Sequence, residues 1–145
     1  MSVAYRYPAT RFEPSPLVDL GDPAERERLS KGAITAFFNI VDKWKVRDED
    51  ARLLLGGISN GTFYAMKKSP DRLLDQDSLT RISYLVGIYK ALHILYGEAL
   101  ADDWIQLPNM NVVFRGQPPL KVMTRGGLPA FQTIRRLLDA RRGGV

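Results

Sequence analysis

Cysteine is absent and histidine occurs once, as His93, in a chain of 145 residues. The first absence excludes a disulfide scaffold and a thiolate metal site; the second excludes histidine clusters and histidine-based triads. No apolar run approaches the roughly 18–20 residues that a spanning helix needs, and the N-terminus lacks the basic-then-apolar order of a signal peptide. A soluble cytoplasmic protein without a membrane partner is expected. Nor is there a glycine-rich phosphate loop, because Gly56-Gly57 lacks the spacing and the trailing Lys-Ser/Thr. Asp102-Asp103 resembles a paired-carboxylate site only superficially, since adjacent helical positions point in different directions. With no catalytic constellation, no metal site and no cofactor site, a non-enzymatic role is expected.

What is present is apolar residue, 45% of the chain, enough for one core or for two small domains sharing a helix. The formal charge is +5, and its location says more than its size. From Phe114 to Val145 seven basic residues (Arg115, Lys121, Arg125, Arg135, Arg136, Arg141, Arg142) face one acid, Asp139. Val46–Arg72 is nearly neutral: Arg47, Arg52, Lys67, Lys68 and Arg72 are set against Asp48, Glu49, Asp50 and Asp71.

Residues 1–21 contain Pro8, Pro14 and Pro16 with scattered aromatics and no period, and read as an extended arm. Asp22-Pro23-Ala24-Glu25 opens a helix to about Trp44 whose inner face carries Leu29, Ala33, Phe37, Val41 and Trp44; Gly32 invites a bend or fraying in its first turns. Asp48-Glu49-Asp50 opens a second helix that Gly56-Gly57 ends, and Ser59 caps a third with Phe63 and Met66 inward. Asp77–Tyr96 is apolar around nearly its whole circumference, Ile94 included, and reads as a buried central strut on which both halves pack, with His93 as a satisfied core histidine. A short helix carries Trp104, Pro108 forces a turn, and Asn111–Phe114 is the one place where an extended segment is expected. Pro119 opens a short helix over 120–124 that Gly126-Gly127 closes. Pro129 opens the last helix, with Phe131, Ile134 and Leu138 inward and Arg135, Arg136 and Arg142 outward.

Two surfaces have functional readings. The third helix, as the second of a helix-turn-helix, would offer Asn60, Tyr64, Lys67 and Lys68 to DNA phosphates or base edges. The alternative is a three-helix core without DNA contact, favoured by the turn Leu55-Gly56-Gly57-Ile58, one residue wider than the common motif, and by the weak charge that limits counterion release. The arginines of the last helix form either a solvated face or a docking element leading into the slim terminus Gly143-Gly144-Val145.

The most specific pattern is Trp104, the turn Pro108-Asn109, then Phe114-x-Gly116-x-x-Pro119-Leu120-x-x-Met123-x-x-Gly126. It resembles the toxin-binding domain of the MbcA/ParS/Xre antitoxins. The likeness covers about residues 31–145, including Leu54-Leu55-Gly56, Thr62-Phe63-Tyr64 and Arg81-Ile82-Ser83-Tyr84-Leu85. It implies an all-α protein in which a helix-turn-helix-like (Xre-type) region, 22–76, follows the arm, and a C-terminal toxin-binding domain, 77–145, begins with the shared central helix. It also implies a partner toxin of the RES type, which consumes NAD or transfers ADP-ribose, held in an oligomeric complex and blocked at its active site by the antitoxin's C-terminal end. Carried onto this chain, the blocking element is Arg141, Arg142, Gly143, Gly144 and Val145, supported by the helix bearing Arg135 and Arg136. Trp104, Phe114, Pro119 and Leu120 shape the clasp, and Gly116 and Gly126 set its turns. Autorepression at operator DNA is the family's second role; a helix-turn-helix repressor without a toxin is the alternative reading.

Overall fold

The computed structural model describes residues 18–143. The expected arm lies outside the described residues through residue 17, as do Gly144 and Val145. Six α-helices follow one another: α1 Pro23–Lys43, α2 Asp48–Leu54, α3 Asn60–Lys68, α4 Gln76–Leu95, α5 Glu98–Asp103 and α6 Pro119–Gly143, with one 3-10 turn, Trp104–Gln106, after α5. Among the described residues there is no strand, so the fold is all-α.

Helix starts follow local chemistry. The Asp22 side chain accepts the Ala24 amide at 3.0 Å with Pro23 in the first turn, Ser59 accepts Thr62 N–H, and Asp75 accepts Ser78 N–H at 2.7 Å. Each satisfies an amide that the helix itself leaves open. Asp75 moves the start of α4 slightly ahead of the expected Asp77. α1 runs unbroken through Gly32, contrary to the expected bend. A single glycine costs about 1 kcal/mol relative to alanine, and burial of Ile34, Phe37, Ile40, Val41 and Trp44 outweighs it.

α4 is the strut. α1 packs along one side and α6 along another, while α5 returns beside its C-terminal end. Leu79, Ile82, Leu85, Ile88, Ala91 and Leu92 are buried along it. Its cover is incomplete at the end, where Ile94 is 63% exposed and not inside as expected, because among the described residues no helix crosses that side. α6 approaches closely at Gly87, where a Cβ would collide with the Arg135 guanidinium. Buried Ser30 joins α1 to the chain ahead of α4, its hydroxyl accepting Leu74 N–H at 2.9 Å and donating to Arg26 O. Gln106 reaches 3.2 Å to the Trp44 carbonyl, closing the 3-10 turn onto the end of α1.

Candidate partner-binding surfaces

α2 begins with three acids, favourable at the positive end of its dipole. The connection to α3, residues 55–59, turns through Gly56 (φ +89) and Gly57 (φ +81), and Arg52 Nε donates to Ile58 O at 2.8 Å to hold it. Phe63 and Met66 are buried while Asn60, Tyr64, Lys67 and Lys68 lie exposed on α3. Tyr64 is nevertheless engaged. Its hydroxyl donates to Asp48 Oδ2 at 2.8 Å, and this hydrogen bond to a carboxylate raises the phenol above its usual 10.0. Tyr64 thus braces α3 against α2, leaving Asn60, Lys67 and Lys68 as the unengaged candidates. A groove of about 270 Å³ beside them is lined by Asp42 and Asp48 as well as Lys67, so the field toward a phosphate backbone is weak.

The C-terminal region is built on an aromatic base. The Trp104 and Phe114 rings meet edge to face, centroids 5.6 Å apart at 85°, with Phe114 only 1% exposed. Pro119 and Leu120 are buried beside them. The expected clasp residues Trp104, Phe114, Pro119 and Leu120 are therefore buried and form the floor beneath a surface.

Over that floor the segment 109–117 is knitted by its own hydrogen bonds. Asn109 N–H donates to Gln117 O at 3.3 Å and Gly116 N–H to Asn109 O at 2.9 Å, which ties the two ends together. Within the closure Asn109 Oδ1 accepts Asn111 N–H at 2.9 Å, Asn111 Oδ1 accepts Val113 N–H at 3.0 Å, and Asn111 O accepts Phe114 N–H at 2.9 Å. Asn111–Phe114 is thus a turn and not the expected extended segment: asparagine side chains that capture amides two residues on fold it back. Arg115 (φ +50) and Gly116 (φ +80) complete the reversal, as expected for Gly116.

The two helices expected on either side of Gly126-Gly127 are limbs of α6, joined at a kink. The kink is made by Gly127 (φ +62, ψ −148), not Gly126. Gly126 matters through the space it leaves. A Cβ there would stand 2.7 Å from the Ala130 Cβ, so its absence permits the limbs to approach.

Along the second limb, residues 128–143, Phe131, Ile134 and Leu138 are buried as the periodicity requires. Arg135 departs from its expected outward position. It lies over Gly87 of α4, with Nε on Asp139 at 3.1 Å and Nη1 buried without a hydrogen-bond partner among the described residues. Glycine at 87 opens the space, and no helical period of α6 alone could reveal it. Arg136, Arg141 and Arg142 are exposed; Arg141 donates to the Tyr96 hydroxyl at 3.1 Å, and Gly143 is still helical.

Sequence reasoning did not single out the two most exposed large apolar side chains among the described residues, Met110 (87%) and Val112 (83%), on the knitted loop. An unburied pair inside the Pro108–Gly116 motif was the available signal. His93 proves half-buried, with Nδ1 2.9 Å from Tyr89 O and Nε2 3.1 Å from Asp102, so it links α4 to α5. Among the described residues no helix is long and apolar enough to cross a membrane.

Comparison with known proteins matches one family model to each of two parts of the chain. The family model described as "Antitoxin Xre-like helix-turn-helix domain" matches residues 22–87, and "Antitoxin Xre/MbcA/ParS C-terminal toxin-binding domain" matches residues 90–144. The two meet inside α4. Over 112 residues the chain is 39% identical to the uncharacterized protein y4oB of Sinorhizobium fredii (strain NBRC 101917 / NGR234), covering 77% of this chain and 84% of that protein. No solved structure matches.

Proposed function

Since the chain belongs to the Xre/MbcA/ParS antitoxin family, with a helix-turn-helix domain and a C-terminal toxin-binding domain, we propose that the toxin it restrains is a RES-domain protein that consumes NAD or transfers ADP-ribose. As an antitoxin it binds its toxin through the C-terminal domain and works by binding, not by catalysis. In the reading proposed here the C-terminal end fills the toxin's active-site cleft and keeps NAD or the target out.

The observation that carries this reading is the end of α6. Its last buried residue is Leu138, and the helix continues past it with Arg141 and Arg142 exposed and a glycine at 143 that adds no side chain. A narrow helix end beyond the core suits entry into a cleft, where its guanidinium groups would pair with carboxylates and not with the groups that hold the phosphates of NAD. Arg136 stays on the exposed face of the same limb, whereas Arg135 lies over Gly87 of α4. Inhibition then needs no chemistry, only slow dissociation of a docked body whose tail acts at high effective concentration. The exposed Asn60, Lys67 and Lys68 of α3 support a second activity, repression of the operon from which the chain is made.

Deleting residues 141–145 is the test. The truncated chain should keep its melting temperature and still bind the toxin, while NAD turnover by the complex returns to a large fraction of that of free toxin. Full silencing by the truncated chain removes the tail from the mechanism.

A further inference from the structure

We propose that the loop tip carrying Met110 and Val112, flanked by a basic bank of Arg115, Lys121 and Arg125, is the anchoring contact for the toxin, and that it fits a protein surface with an apolar pocket rimmed by carboxylates. The inference rests on the toxin-binding assignment of this half and not on the toxin's class.

The tip is apolar where nothing in the fold demands it. Met110 and Val112 stand 87% and 83% exposed, and Leu107 at the base of the same segment is 45% exposed. Single exposed apolar residues are ordinary, but these three fall within six positions of one loop, inside the region that matches a toxin-binding domain. The loop holding them is not slack. Its ends are tied through Asn109, two asparagine side chains fix its interior amides, and the Trp104–Phe114 pair supports it from below. Such a mount presents a flexible thioether and a branched aliphatic group with little ordering left to occur on binding.

The charge beside it names the partner's chemistry. The loop is one wall of a groove of about 360 Å³ whose other wall is the first limb of α6, and Arg115, Lys121 and Arg125 all line it with no acid among the lining residues. Among the described residues no carboxylate lies within ion-pair distance of any of these three, whereas Arg28, Lys31, Arg47, Arg81, Arg135 and Arg142 each have one. An apolar tip next to unpaired cations suits a protein better than nucleic acid, since phosphate backbones offer nothing to a projecting methionine.

The experiment uses the full chain and, as probe, the protein encoded beside it, made in a catalytically disabled form, with binding followed in real time. Met110→Ser with Val112→Ser should leave the melting temperature unchanged, because both side chains are already in solvent. It should weaken binding on the order of a hundredfold, mostly through faster dissociation. Lys121→Glu with Arg125→Glu should slow association at low salt, with the difference fading at high salt. Wild-type affinity in the serine double variant overturns the proposal. So does a glutamate double variant that associates normally with the protein but loses binding to a DNA duplex, which would assign the bank to nucleic acid. If the neighbouring protein binds tightly but has no RES domain, the proposed toxin class falls while the same variants still decide the surface.

Discussion

The α2–α3 unit and the segment from Trp104 to Gly143 are both small helical structures resting on a larger frame, yet they use their surface differently. Around α3 the cations are matched by acids, and the one aromatic on the outer face, Tyr64, is held by Asp48. Beyond Phe114 cations outnumber acids seven to one, and just before it Leu107, Met110 and Val112 are exposed, against Leu53 alone among the aliphatic residues of α2 and α3. A surface near neutrality, even with Lys67 and Lys68 outside any ion pair among the described residues, attracts charged partners weakly; net positive charge next to exposed apolar groups offers a protein partner both steering and area to bury. The contrast marks the C-terminal half as the face built for a protein, in keeping with its family.

The comparison can be broken most forcefully at the aromatic floor. Trp104→Ala should cost about 3–5 kcal/mol in denaturant unfolding, since it empties a buried site and removes the ring that Phe114 meets edge-on. A soluble variant with unchanged unfolding would mean that the loop needs no such floor. Next comes the kink. Gly127→Ala places a side chain at φ +62, ψ −148, a region nearly reserved for glycine, and should cost on the order of 1–3 kcal/mol, lowering toxin affinity along with stability. Retention of both would show that the angle between the limbs is not required.

The smallest effect lies in the N-terminal unit. The Tyr64 phenol is raised above 10.0 chiefly by its hydrogen bond to Asp48, then by that carboxylate's charge, so the folded protein favours the protonated phenol. The stabilisation is present below pH 10 and is lost as the pH climbs through the shifted value. Ultraviolet titration should find one tyrosine ionising late in the parent protein and earlier in Asp48→Ala. Identical titrations would remove the brace between α2 and α3.

Much of this was legible in the residues. Asp22-Pro23, Ser59 and the acids at 48–50 announce helix starts because a cap is a local event, and the inward stripes of α1, α3 and the second limb of α6 follow from helical spacing. What escaped was not local. Arg135 lies over α4 because residue 87, far away in sequence, is glycine. Asn111–Phe114 looked extended by composition, whereas two asparagine side chains close it into turns. Which of two neighbouring glycines bends α6 depends on Ala130 approaching Gly126, leaving the positive φ to Gly127.

Arg81 of α4 carries a consequence for both halves at once. It pairs with Asp77 at 2.8 Å, its guanidinium stands 6.0 Å from the Phe131 ring centroid in the second limb of α6, and it comes within 3.3 Å of where a Cβ on Gly56 would lie, in the turn between α2 and α3. One half-buried cation therefore lies close to both the turn of the helix-turn-helix and the last helix of the toxin-binding domain. If the chain grips an operator as proposed, any shift that Arg81 transmits is reciprocal: by whatever factor a bound toxin alters that grip, the operator alters the grip on the toxin.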